Sequence, residues 1–131
     1  MNSISAWSLG PFSKLDDANP VLGPGDGIFH CPFLGQVKWD DCLLIYSGCN
    51  SGDPALPPGA YSAGQAIFDP VDPTAIIGRT NSPFLFPQHP FELEGEIPNV
   101  CFVNGLVFFK DRWLLYYGAA DKYLGVCATL A

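Results

Sequence analysis

Apolar residues in this chain come in short bursts separated by Gly, Pro, Asp and Asn, with almost no helical spacing. Leu43–Ser47 is a continuous apolar run suited to a buried strand, and Tyr61–Phe68 predicts the next. The small residues Ala63, Gly64 and Ala66 suit close packing there. Ala75–Arg79 predicts a short strand. Further on, Asn99–Val103, Leu106–Lys110, Trp113–Tyr117 and Tyr123–Leu130 predict a meander with a tight turn at Lys110-Asp111-Arg112 and a loop over Gly118–Lys122. Upstream, Ile28–Trp39 predicts one strand, interrupted by Pro32 and Gly35. Asp69-Pro70-Val71-Asp72-Pro73 is a double turn signal, because Pro presets φ and Asp bonds its own backbone. Ser82–Pro90, with prolines among aromatics, predicts a sheet edge or a linker. Cys49–Gly59 is a long Pro/Gly loop of the kind that often carries function.

The pattern repeats. Leu43-Leu44-Ile45-Tyr46-Ser47-Gly48 returns as Trp113-Leu114-Leu115-Tyr116-Tyr117-Gly118, and each copy leads into a Tyr and a small-residue strand beginning at Tyr61 or Tyr123. A strand–turn–strand unit recurring at this spacing predicts blades of a β-propeller or a related β-repeat. The expected fold is all-β: a partial propeller of about two blades plus the N-terminal strand, over residues 28–131. Residues 1–27, rich in Ser, Pro, Gly and Asp, are expected to form an extended leader.

A chain of 131 residues is enough for one domain and buries roughly two-thirds of its extended surface. The net charge of −7, with six Lys and Arg, leaves no basic stripe for nucleic acid or an anionic membrane. No apolar run reaches the length of a membrane span, and Met1–Pro11 lacks the pattern of a secretory signal, so a cytoplasmic location is expected. The five cysteines (Cys31, Cys42, Cys49, Cys101, Cys127) have no CxxC or Cys/His ligand spacing. They predict buried free thiols in a reducing compartment and no metal site.

From Leu43 to Ala131 the order LLIYSG, GDPALPPGAYSAGQAIFDPVDPTAIIGRT, PFLFPQHPFELEGEIPNVCF and WLLYYGAAD closely resembles the end of glycoside hydrolase family 130. Phe12–Pro24 and Phe29–Trp39 resemble the same family's beginning. The resemblance implies a five-bladed β-propeller that cleaves β-linked mannosides with inversion, by hydrolysis or phosphorolysis. Its substrate would be a mannose-containing oligosaccharide, with inorganic phosphate as acceptor in a phosphorylase, and it implies no cofactor. GDPALPPGAYSAGQAIFD looks most like the hydrolase-leaning branch. Where the family's middle blades would follow, Asp41 runs directly into Cys42-Leu43-Leu44, so the chain reads as an internally truncated member.

Inverting cleavage needs a general acid for the departing oxygen and an activated water or phosphate on the opposite face. In the family the acid is an Asp in an Asp-Pro-Arg context within the missing blades. Asp53, Asp69 and Asp72 precede Pro here, but none is followed by Arg. No catalytic residue is assigned, and impaired catalysis is expected.

By the resemblance, Tyr61 and Asp121 fall where family members contact sugar. A Tyr ring offers an apolar face and an OH, and a carboxylate accepts from vicinal hydroxyls. The plain alternatives are a core tyrosine and a turn aspartate. Glu94 and Glu96 flank Gly95; on a strand they would share a face, as a base and water-holder, against the plain reading of a solvated acidic loop. Asn99 and Arg79 read as structural, bonding backbone at blade junctions, and Lys38 as an exposed flank. Most aromatics (Trp7, Trp39, Trp113, Tyr116, Tyr117) read as core. His30–Cys31 is not a dyad, since strand neighbours point to opposite faces. Three readings compete: a catalytically impaired relative of the mannoside enzymes, a homo-oligomer whose chains complete a ring, and a non-catalytic sugar-binding or interaction module.

Overall fold

The computed structural model describes residues 42–129 together with Ser13, Asp17 and Ala18. The expected leader over 1–27, apart from those three positions, and the strand over Ile28–Trp39 lie outside the described residues. So do Cys31, His30, Lys38, Trp7 and Trp39.

Two antiparallel sheets form, each of three strands. The first runs β1 (Cys42–Cys49), β2 (Tyr61–Phe68), β3 (Ile76–Arg79); the second runs β4 (Cys101–Phe109), β5 (Arg112–Ala119), β6 (Tyr123–Ala128). This is a partial all-β propeller, as the pattern predicts. The repeated phrase marks the same hairpin in both sheets: β1–β2 in one and β5–β6 in the other. The first sheet adds a strand after its hairpin, whereas the second adds one before it.

Small residues set the packing of β2, where Ala63, Ala66 and Ile67 are buried. Gly64 lies opposite Tyr46, and a Cβ there would meet the Tyr46 ring at 2.6 Å. Gly125 lies opposite Tyr117 in the same relation, at 2.5 Å. An aromatic ring thus fills the space over a cross-strand glycine in both hairpins.

Turns close as their chemistry dictates. Asp69 Oδ1 accepts from the N–H groups of Val71 (2.8 Å) and Asp72 (3.1 Å), and Asp72 Oδ1 accepts from Thr74 N–H (3.1 Å). The long β1–β2 loop is stapled by one side chain. Asn50 Nδ2 donates to the carbonyls of Asp53, Leu56 and Pro57, while its Oδ1 accepts from Gly52 and Asp53 N–H. Both hairpins of the second sheet turn through two consecutive left-handed residues without glycine: Lys110 and Asp111 (φ 48° and 61°), then Ala120 and Asp121 (φ 49° and 53°). These are type I′ geometries, which match strand twist.

Several expectations are corrected. Asn99–Val103 and Leu106–Lys110 merge into the single strand β4, because a bulge between Val103 and Gly105 absorbs the extra residue. Of the two readings of the Pro-rich segment, the sheet edge agrees with the structure and the linker does not: Ala63 N–H donates to Leu85 O (2.8 Å) and Phe84 N–H to Ala63 O (3.0 Å), extending the first sheet beyond β3. A one-turn helix, α1 (Pro90–Leu93), follows. Of the described thiols only Cys101 is buried; Cys42 and Cys49, at the two ends of β1, are exposed, since the strand dips into the core only along its middle.

The sheets meet where Val103 N–H donates to Ser47 Oγ (2.9 Å) and the Tyr61 and Phe102 rings lie 5.8 Å apart. Among the described residues, no helix is long and apolar enough to cross a membrane and no His/Cys/Asp/Glu group has the size of a metal site.

Candidate functional site

A strip of backbone hydrogen bonds joins the two sheets and fixes the candidate residues. Tyr61, the first residue of β2, leaves the Asn50-stapled loop and donates its N–H to Asn99 O (2.9 Å). Asn99 is left-handed (φ 60°), so the chain turns and Val100 pairs alongside Tyr61. Val100 O then accepts from Ala120 N–H (3.0 Å), and Ala120 O accepts from Ile97 N–H (3.1 Å). Asp121 follows Ala120 in the turn and is exposed, whereas Tyr61 is half-buried. The structure therefore brings Tyr61 and Asp121 to opposite sides of one two-residue bridge, Asn99–Val100.

Glu94 and Glu96 reach the same corner by another route. A Cβ on Gly95 would lie 2.7 Å from the Ala120 Cβ and closer still to its carbonyl, so only glycine allows this approach. The two carboxylates straddle that contact and are both exposed. They do not lie on a strand as alternation predicts, because Gly95 is pinned to a turn rather than paired in a ladder. Three exposed carboxylates, Glu94, Glu96 and Asp121, thus lie near one turn, which the backbone bridge ties to Tyr61. This corner offers acceptors for sugar hydroxyls and a surface for the apolar side of a pyranose.

The other acidic residues are occupied by turns. Asp53 Oδ1 accepts from Ala55 N–H (2.9 Å), and Asp69 and Asp72 close the turns described above. The Asp72 carboxyl is held below its usual range, chiefly by the Thr74 hydroxyl, which is the wrong direction for a proton donor. Arg79 donates Nε–H to the Tyr46 OH (2.8 Å) and stacks on its ring at 4.8 Å within the first sheet. Asn99 does bond backbone, through its own carbonyl. A groove of about 480 Å³ lined by Gln65, Arg79, Thr80 and Phe84 lies on the first sheet, and none of the four candidate residues lines it.

One residue escaped the sequence reading. Glu92, at the third position of α1, is 1% exposed. Its Oε2 accepts from Gln88 and His89 N–H (2.8 and 2.9 Å), and its Oε1 accepts from the Tyr117 OH (2.6 Å). Desolvation pushes this carboxyl up, but the His89 N–H, the Tyr117 hydroxyl and the Gln88 N–H outweigh it, so the group sits below its ordinary range. Burial first, and then the Glu92 charge, push the Cys101 thiol up to about 12 and raise Cys127 and Tyr117 as well. The available signal was His89-Pro90-Phe91-Glu92, with Pro at the first helical position and Glu at the third, the acidic half of a capping box.

With this geometry in place, the comparisons are specific. Residues 32–130 match the glycoside hydrolase 130 family, described as beta-1,4-mannooligosaccharide phosphorylase. A beta-1,2-mannobiose phosphorylase of Thermoanaerobacter sp. (strain X514) is 39% identical over 76% of this chain and 30% of its own length. A glycosyl hydrolase structure from Bacteroides ovatus is 43% identical with a TM-score of 0.62, over 66% of this chain and 25% of that one. Another structure is described with the words that this family of mannoside phosphorylases contains glycoside hydrolases that target β-1,2-mannosidic linkages in Candida mannan. It is 42% identical with a TM-score of 0.64, over 66% and 25% of the two chains. The chain thus spans about a third of the length of the curated relatives it matches.

Proposed function

Because the chain belongs to glycoside hydrolase family 130, we propose that it carries the sugar-contacting corner of an enzyme that cleaves β-linked mannosides with phosphate as acceptor. The observation that supports this reading is the backbone bridge from Tyr61 through Asn99 and Val100 to Ala120, which ties the start of β2 to the turn that carries Asp121. Tyr61 covers the apolar face of a mannose ring and offers its OH. Asp121, with Glu94 and Glu96 beside it, accepts from vicinal hydroxyls. The names of the curated relatives, β-1,2-mannobiose and oligomannan phosphorylases, favour phosphate over water.

The proton must come from elsewhere. No Asp-Pro-Arg occurs in the chain, and Asp53, Asp69 and Asp72 each hold backbone N–H groups in turns. This chain supplies recognition, and its own turnover is impaired.

The test is titration of the purified chain with β-1,2-mannobiose, with and without phosphate. Binding is expected to weaken about tenfold in Asp121→Asn and in Tyr61→Phe, the worth of one hydrogen bond. No perturbation at millimolar sugar would remove the sugar site. Steady release of mannose 1-phosphate would show that a proton donor is present after all. A second reading, hydrolysis, is favoured by the 42% and 43% identity to structures described as glycoside hydrolases. It requires free mannose as product at a rate indifferent to phosphate.

A further inference from the structure

We propose that Glu92 is the positioning residue of the acidic corner, locking the segment from Gln88 to Val100 onto β5 so that Gly95 seats against Ala120 and Asp121 is held in place. The inference deepens the sugar-site reading and rests on it only for the identity of the ligand.

Glu92 ties together the start of α1, β5 and Val100. Its side chain takes both N–H groups at the start of α1 and the hydroxyl of Tyr117, two residues before Ala119 ends β5. Its own carbonyl accepts from Val100 N–H (3.1 Å). Val100 O holds Ala120 N–H, and Ala120 O holds Ile97 N–H. The chain of bonds therefore runs from the residue that carries the buried carboxylate to Ala120, which precedes Asp121 in the turn. Among the described residues, this backbone pair and the Gly95 approach reach the Ala120-Asp121 turn from outside its own hairpin. Both depend on the segment that Glu92 anchors.

A buried, ionised carboxylate is an expensive anchor, because removing its partners or its charge leaves unpaired polar groups. A neutral apolar anchor would hold the segment by contact alone. Three charge-assisted bonds of fixed direction hold it in one orientation. That suits a corner whose acceptors must meet hydroxyls to within a fraction of an ångström.

The test is amide hydrogen exchange on the full chain, comparing wild type with Glu92→Gln and Tyr117→Phe. Exchange at Ile97 and Ala120 is expected to rise about tenfold in Glu92→Gln, and less in Tyr117→Phe, while the β1–β2 amides change by less than about twofold. A residue that merely stabilised the fold would speed all protected amides together. Equal acceleration everywhere, or acceleration confined to Gln88 and His89, overturns the proposal. Should Glu92→Gln fail to fold, Tyr117→Phe alone decides by the same two amides. β-1,2-Mannobiose titration is run on the same samples. If wild type does not bind sugar, the ligand assignment fails while the exchange result still decides the positioning role.

Discussion

At the scale of single residues, ionisation sets what the corner tolerates. Glu92 has a folded pKa below its unfolded value, so its contribution is fully present above the unfolded value near 4.5 and is lost as pH falls through the lower folded value. The groups facing it are His89, Tyr117, Cys101 and Cys127. The stability gap between wild type and Glu92→Gln should therefore be constant from about pH 7 to 5 and shrink below that; in denaturant melts at stepped pH, a flat gap would mean that folding leaves the Glu92 pKa unchanged, and a gap that grows on acidification would mean a neutral Glu92 in the fold. Glu92→Ala strands the Tyr117 hydroxyl and two N–H groups, costing about 3 kcal/mol by the same melts. The thiols sort in the same way. Cys101, pushed up to about 12 by burial and by Glu92, should resist a thiol reagent at pH 8 until the chain unfolds, whereas exposed Cys42 and Cys49 react at once. Mapping labelled cysteines by peptide mass checks this, and early labelling of Cys101 would contradict the buried cluster.

Elements show which parts of the pattern were legible. The runs around Leu43, Tyr61 and Trp113 became β1, β2 and β5 because each pairs locally, with the strand next to it in sequence. The Asp69 and Asp72 turns were readable for the same reason: the aspartate bonds its own neighbours. Glu92 was not, since one helical turn has no periodicity and the carboxylate is buried by Tyr117, 25 positions on. Glu94 and Glu96 looked like a strand pair because alternation cannot report that Gly95 is clamped to a distant turn. Tyr61 and Asp121 were nameable, yet the Asn99–Val100 bridge between them was not, because it depends on a left-handed asparagine. The hairpin at Lys110-Asp111 is an element under mild strain, with two non-glycine residues at positive φ. Replacing them by Asn-Gly, the preferred type I′ pair, should add about 1 kcal/mol and raise the melting temperature by a few degrees. Gly95→Ala should do the reverse, costing about 1–3 kcal/mol by forcing the segment off Ala120. Thermal melts of the two variants would show opposite signs; equal melts would mean the Gly95 approach is not close.

For the whole molecule, the second sheet decides behaviour. Phe102 and Leu124 share one of its faces through Gly118, and Val107, Phe109 and Val126 lie on that same face by register. All five are about half exposed or more. A contiguous apolar face of this kind is larger than single domains usually leave in water. In a propeller, such a face belongs against a neighbouring blade. The chain also matches only about a third of its curated relatives' length. The hairpin registers hold without any contact to this face, so charges can be placed on it without breaking a ladder. Leu124→Lys with Val126→Lys places two charges on the β6 side of the face while leaving the β5–β6 ladder intact, since both side chains are already exposed. The double variant should bind an apolar dye several-fold less and scatter less light, with a melting temperature within a few degrees of wild type. A large drop in melting temperature would mean the face is packed in solution. An unchanged dye signal would place the exposed apolar surface elsewhere.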